Sequence, residues 1–253
     1  MTITFLGTGT SQGVPVIACD CEVCTSVDTH DNRLRASILI ESPDKTVVID
    51  SGPDFRYQML RAGVKHLDAI VFTHEHKDHV AGMDDIRAFN YKQQVAVDIY
   101  ADARVQTALR REFPYIFDDK GYPGIPQIEM HSIDLHPFDI GDIHFTPVEV
   151  MHYKLPVLGF RINDFTYITD AKTVTEAEKQ KIRGSKILVI NALQKQTHIS
   201  HFTLDEAIAF AKDIGAETTY FTHISHRLGR HAEITEELPA GIKLAYDGLK
   251  LEI

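Results

Sequence analysis

Short apolar runs, broken by polar turns that carry glycine or proline, recur along this chain. Their spacing predicts alternating strands and helices. Residues 2–6 alternate with period two, as a strand does, and residues 35–41 and 46–49 read as two strands joined by Ser42-Pro43-Asp44-Lys45. The unbroken run Ala69-Ile70-Val71-Phe72 suits a buried strand. Further strands are expected at 97–101, 128–135, 143–149, 157–162, 165–169, 186–190 and 218–222. Three turns accompany them. Gly141-Asp142 lies between strands 128–135 and 143–149, and Asn163-Asp164 closes a hairpin. Asp247-Gly248 closes a C-terminal hairpin of 243–245 and 249–253.

Helices are expected at 54–62, capped by Asp54 and stopped by Gly63, and at 80–90. Others are expected at 102–113, capped by Asp102, and at 175–183, with a Thr175/Glu178 capping box. A last one runs from the Thr203/Glu206 box to Ile214. The glycine-rich stretch 7–13 lacks the Gly-Lys-Ser/Thr ending of a phosphate loop, and both a tight turn and an anion contact fit it. Residues 114–127, with Tyr115, Phe117 and Tyr122, have weak periodicity; a lid, a dimer contact and a packed loop all suit them.

Composition narrows the class. With 253 residues, 43% hydrophobic and 25% charged, the chain is that of an ordinary globular protein. Residues 1–253 are read as a single domain, with a metal-binding loop at about 14–35. A net charge of −10 disfavours a broad polyanion-binding face, so extended nucleic acid is not an expected partner. No apolar run approaches the ~20 residues of a membrane span. The N-terminus has no charged region or cleavage site of a signal peptide. Three cysteines crowded into 19–24 make a poor disulfide framework and suit a reducing compartment, so a cytoplasmic protein is expected.

The candidate chemistry begins where the strand at 69–72 stops. His74, His76, Asp78 and His79 follow at once. Residues two apart on extended chain point the same way, so His74 and His76 can share one metal. Asp78 and His79 fall where the chain turns into a helix and serve a neighbouring position. Imidazole and carboxylate together suit zinc, manganese or iron. Surface histidines in a polar loop would not need so abrupt a junction with a buried strand.

Further donors stand at other strand ends. His152 supplies a third imidazole for the first metal, Asp170 a carboxylate able to bridge two metals, and His223 a final ligand. Asp50 ends its own strand and is read either as a partner orienting a ligand histidine or as a turn former. His201, just before a helix, is the candidate general acid, with His198 second. Cys19, Cys21 and Cys24 put three thiolates on one loop and suit a structural zinc, with His226 as the fourth ligand.

The motif His74-x-His76-x-Asp78-His79, followed by His152, Asp170 and His223, resembles the metallo-β-lactamase superfamily of dinuclear hydrolases along essentially the whole chain. The resemblance implies a four-layer αββα sandwich, two packed mixed β-sheets flanked by helices. It also implies two divalent metals, zinc or manganese. His74, His76 and His152 would hold one, and Asp78, His79 and His223 the other, with Asp170 between them. Residues 8–15, the three-cysteine loop and His223-x-x-His226 resemble one branch, the phosphoribosyl 1,2-cyclic phosphate phosphodiesterase of the carbon–phosphorus lyase pathway. That branch implies a Cys3His structural zinc, a proton-donating histidine near His201 and a homodimer; the surroundings of His201 depart from it.

Two metals lower the pKa of a shared water, and the hydroxide would attack phosphorus while His201 protonates the leaving oxygen. Asp78 would orient that hydroxide. Lys154, Arg227 and Arg230 are candidates for a second phosphate, against a plain solvated role. The expected function is therefore a phosphodiesterase for a small, cyclic or nucleotide-like ribose phosphate. Two alternatives use the same metals: a ribonuclease Z-like RNA phosphodiesterase, for which no basic arm is present, and a carboxylic ester, lactone or thioester hydrolase. A metal-binding protein without activity is the non-enzymatic alternative.

Overall fold

The computed structural model describes residues 1–118 and 124–253, so Tyr122 and the centre of the aromatic loop lie outside the described residues. Fourteen strands form two seven-stranded sheets among the described residues. The first sheet contains β1 (Thr2–Gly7), β2 (Ser37–Glu41), β3 (Thr46–Ile49), β4 (Ala69–Val71), β5 (Val97–Ala101) and β6 (Ile128–Ser132). The second contains β7 (Phe138–Ile140), β8 (Ile143–His152), β9 (Leu155–Ile162), β10 (Phe165–Tyr167), β11 (Ile187–Asn191), β12 (Thr218–Thr222) and β13 (Ile242–Leu244). β14 (Lys250–Glu252) returns to the first sheet, against β1. Both sheets mix parallel and antiparallel pairs.

The layering follows from period-two burial. Val47 and Ile49 of β3 pack between the sheets, and Val48 packs outward. Val189 of β11 likewise faces the other sheet, while Leu188 and Ile190 face outward. Each sheet is thus apolar on both faces, and helices cover the outer ones. Outside the first sheet lie α1 (Phe55–Ala62), α2 (Lys77–Val80), α3 (Arg87–Gln93) and α4 (Ala103–Glu112), followed by the single turn α5 (Pro114–Phe117). Outside the second lie α6 (Glu176–Ile182), α7 (Leu204–Ile214) and α8 (His231–Glu237). This is the αββα sandwich that the motif order implied. No helix among the described residues is long and apolar enough to cross a membrane.

Several local expectations change. The C-terminal strands are not a hairpin: β13 runs parallel to β12 in one sheet, and β14 pairs antiparallel with β1 in the other. The Asp247-Gly248 turn instead carries the chain between sheets. There the Asp247 carboxylate accepts from Thr8 Oγ1 (2.8 Å) and from the Leu34 backbone N–H (2.9 Å). Gly141-Asp142 does close a hairpin, but its first strand is β7, while β6 belongs to the other sheet.

The single helix expected at 80–90 is broken into α2, a 3₁₀ turn at Met83–Ile86, and α3. The break follows from Gly82, whose N–H donates to the Ser51 carbonyl (2.8 Å). Asp54 precedes α1 without capping it, because its carboxylate is taken by the Arg35 backbone N–H and guanidinium. At Thr175 only half of the box forms: its hydroxyl caps α6, but Glu178 turns to the Glu149 backbone N–H. The full box at Thr203/Glu206 and the caps at Asp102 and Gly63 form as expected.

The glycine stretch near the N-terminus lies against other backbone. Gly9 bridges to both Arg35 and Ile224, and a Cβ there would crowd the Arg33 carbonyl oxygen. Its N–H is used by Leu34, which favours the tight turn over an anion contact. Gly52 and Gly82 matter more for the site. A Cβ on Gly52 would run into the Asp78 carbonyl, and one on Gly82 into that of Gly52. These contacts press the turn after β3 onto α2, which carries Asp78 and His79. Gly52→Ala is expected to cost about 1–3 kcal/mol, the range for overpacking a rigid contact. Chemical denaturation checks it, and unchanged stability would show that the contact yields without cost.

Candidate metal centre

Six of the candidate residues sit at, or just beyond, the C-terminal end of a strand, and Asp78 and His79 follow on α2. Asp50 follows β3, His74 and His76 follow β4, His152 ends β8, and Asp170 and His223 follow β10 and β12. The pairings make these strands run the same way within each sheet, so their ends open on one edge of the sandwich. Ligand sites at carboxyl ends of strands are a general property of such sheets. Three of these residues turn the chain through the left-handed region: Asp50 (φ 64), Asp170 (φ 55) and His223 (φ 52). Such a conformation is uncommon outside glycine and marks a place where side-chain direction outweighs backbone comfort.

The side chains converge. The donor atoms of His74, His79 and Asp170 lie within 4.8 Å of one another, as do those of Asp78, His79 and His223, and those of His152, Asp170 and His201. Asp170 belongs to two of these groups. Its Oδ2 lies 3.3 Å from His79 Nε2 and its Oδ1 lies 3.3 Å from His223 Nε2, while the groups it shares with His74 and with His152 place it against both histidine sets. Asp78 Oδ2 is 3.3 Å from His79 Nε2 and 3.9 Å from His223 Nε2. Among the described residues, His76 joins no such tight triad. Its ring centroid lies 4.5 Å from that of His74 and 5.2 Å from that of His152. All seven residues of the motif are therefore brought to one place.

The ring nitrogens test whether cations fit there. His74 Nδ1 faces the Thr73 hydroxyl (2.9 Å), and His79 Nδ1 donates to Asp50 Oδ2 (2.6 Å). His152 Nδ1 donates to the Ser200 carbonyl (2.9 Å). Each contact turns an Nε2 towards the cluster. Among the described residues, His74 Nε2, His79 Nε2, His201 Nδ1 and both nitrogens of His223 are buried without a hydrogen-bond partner. Buried polar atoms seldom stay unpaired, because each costs its full desolvation. Together with Asp78 and Asp170, these nitrogens fit divalent cations.

Electrostatics points the same way. Burial works against charge on His79, yet Asp50, Asp78 and Asp170 hold it well above the ordinary imidazole range. Burial pushes the Asp50 carboxyl up, against the pull of His79 and Thr73, so the pair retains a proton. Burial acts to raise Asp170, but His223 and His79 hold it well below the usual carboxylate range. Burial, with His79 beside it, pushes His74 far down into the neutral form that binds metal. The cluster thus sets a neutral His74 ring and a charged His79 ring against ionised Asp78 and Asp170.

His201 lies against the cluster. Its ring stacks on His223 at 4.8 Å, and its Nδ1 is 3.9 Å from Asp170 Oδ1. Burial, with His223 adding, pushes it down to about 2, so the ring at rest is neutral. His198 is farther out, its ring 5.1 Å from that of His201, with Nδ1 towards Ser200. Lys154 and Arg227 are exposed, while Arg230 faces Glu22 and Glu233 at the edge of ion-pair distance.

A second cluster forms beside the first. The sulfurs of Cys19, Cys21 and Cys24 lie 3.3, 3.4 and 3.5 Å from His226 Nδ1. A tetrahedral zinc with sulfur at about 2.3 Å and nitrogen at about 2.0–2.1 Å has an S–N edge of about 3.5 Å. The four donors thus stand at the spacing zinc requires. The Cys24 backbone N–H, helped by His226, draws Cys21 down to about 6.

Three contributors escaped the sequence reading. Thr73 gives both its N–H and its hydroxyl to Asp50, which ties the two strand ends together. The Ser200 carbonyl orients His152. Asn191 grips Ala171 through both N–H (2.7 Å) and carbonyl (3.0 Å), fixing the backbone just after Asp170. A buried asparagine ending an apolar strand was the one available signal. Asp50 joins Thr73 to His79, so Asp50→Ala is expected to weaken divalent-metal binding at this cluster about 10–100-fold while the fold persists. Metal titration alongside circular dichroism checks this; undiminished affinity would reduce Asp50 to a turn former.

The Beta-lactamase superfamily domain family matches residues 45–224. A diphosphatase of the PhnP family, known from its crystal structure, is 43% identical, with a TM-score of 0.93; the match covers 100% of this chain and 97% of that one. The octanoyltransferase of Porphyromonas gingivalis is 39% identical over 99% of this chain but only 51% of its own length. The Zn2+-bound PqqB of Methylobacterium extorquens, 20% identical with a TM-score of 0.81 and both chains fully covered, shares the fold. The chain spans about half the length of the curated relative that it matches throughout. By the family match and the whole-length likeness to a PhnP-family protein, this chain belongs to the β-lactamase superfamily.

Proposed function

We propose that the protein is a dinuclear metal-dependent phosphodiesterase acting on a small, cyclic or nucleotide-like ribose phosphate. The observation that carries this reading is the pairing of buried, partnerless imidazole nitrogens with Asp78 and Asp170, with His201 at the margin. Divalent cations held there, zinc or manganese, would activate water and offset negative charge on a reacting phosphoryl group. His74, His76 and His152 form one side of the holding set and Asp78, His79 and His223 the other, with Asp170 between. Cys19, Cys21, Cys24 and His226 would hold a separate structural zinc.

The chain's own groups then do the proton work. Asp78, 12% exposed at its side chain, is the most accessible of the carboxylates in the cluster and is placed to accept hydrogen bonds from the attacking water. His201 is placed to give a proton from Nδ1 to the leaving oxygen. It is neutral at rest, so the role requires the bound diester, whose negative charge favours the imidazolium. The 43% identity with a PhnP-family diphosphatase over the whole chain supports phosphoryl chemistry. The net charge of −10 supports a small substrate over a long nucleic acid. A cytoplasmic location and a homodimer remain part of this proposal.

The likeness to an octanoyltransferase favours a second reading, hydrolysis of an acyl ester or thioester at the same centre. His201→Ala separates the two. On a dialkyl phosphodiester its loss is expected to slow turnover about 10²–10⁴-fold, and on bis-p-nitrophenyl phosphate far less, since that leaving group needs little protonation. Thiolates also leave unaided, so thioester turnover would stay near wild type. Steady-state kinetics on the three substrate types decides, and equal effects on both phosphodiesters would remove His201 from the proton transfer.

A further inference from the structure

The turn beside His152 has a feature that metal binding does not explain. Strands β8 and β9 pair as far as His152 and Leu155, leaving Tyr153-Lys154 as a two-residue turn. Tyr153 has φ 58. Hairpin turns of this length favour glycine, asparagine or aspartate where φ is positive, and a bulky aromatic there is strained. Burial does not offset that strain, because Tyr153 is 53% exposed. Its ring does carry the Lys154 ammonium 5.3 Å from its centroid. Strain kept without a packing gain is characteristic of functional positions.

A second exposed apolar side chain belongs to the segment that backs His152. His152 donates to the Ser200 carbonyl, so Tyr153 and Ile199 each lie one residue from the two ends of the same hydrogen bond. Ile199 is 65% exposed. An exposed aromatic and an exposed branched aliphatic residue thus stand next in sequence to the two partners of the bond that orients His152, and a cation lies over the aromatic ring.

We propose that Tyr153 is a specificity-determining residue. With Ile199 it forms an apolar platform for a planar, aromatic or base-like substituent of an anionic substrate whose acidic group lies at the metal cluster. Lys154 adds positive charge at the same edge. The substrate class is therefore an anionic ester bearing a flat group, rather than a bare sugar phosphate. This deepens the phosphodiesterase reading and rests on it only for the identity of the acidic group. Stacking of a flat group on one aromatic ring is strong enough to change affinity about tenfold.

The test measures binding, not turnover. Metal-loaded protein is titrated calorimetrically with phenylphosphonate and methylphosphonate, and in parallel with phenylacetate and acetate. Wild type is expected to prefer the phenyl member about tenfold. Tyr153→Ala should reduce that preference to within about twofold, and Tyr153→Phe should retain it. A preference kept in full by Tyr153→Ala, or absent from wild type in both series, would overturn the platform. A Tyr153-dependent preference among the carboxylates alone, with no phosphonate bound, would uphold the platform and count against phosphodiester chemistry. Tyr153→Gly is expected to melt at or above the wild-type temperature, since glycine suits this turn. A clear fall would assign the ring a packing role and overturn the proposal.

Discussion

The structure depends on keeping unpaired imidazole nitrogens and ionised carboxylates buried together. Left alone, such a cluster costs several kcal/mol for each unscreened charge or orphaned polar atom. The protein holds it by fixing the far side of each group. Asp50 bonds His79 and Thr73, Ser200 backs His152, and Asn191 clamps the backbone after Asp170. What is left facing inward is a set of lone pairs and negative charge that cations would complete.

The sandwich supplies the rigidity this requires. Strands buried on both faces end abruptly at one edge, and the turns there use left-handed backbone at Asp50, Asp170 and His223. Non-glycine residues in such conformations cost on the order of 1–3 kcal/mol each. That cost is sustained because the neighbouring backbone is pinned. Ser51 donates to His79, Ala192 to Thr222, and Ile224 to the Thr8 carbonyl. His226 of the sulfur cluster and His223 of the larger centre stand in one short segment, 223–226.

Much of this was legible in the sequence, because strand ends that carry clustered histidine and aspartate announce a site. His74, His76, Asp78 and His79 stand together, and His152, Asp170, His223 and Asp50 each follow an apolar run. The Cys19–Cys24 spacing and His226 were legible for the same reason. Sheet membership was not. The Asp247-Gly248 turn looks local, yet its flanking strands join different sheets, and no short pattern encodes which neighbour a strand finds. The break at Gly82 depends on a hydrogen bond to Ser51, distant in sequence. Thr73 and Ser200 act through geometry that residue type alone does not reveal.

The most direct test of the central claim is the metal content of the purified protein, measured by elemental mass spectrometry before and after stepwise chelation. The account predicts about three divalent metals per chain, two lost to a mild chelator with the fold retained, and a third, zinc, released only with loss of thermal stability. A protein that is folded and fully stable with neither cluster occupied, even when supplied with zinc and manganese, would contradict it.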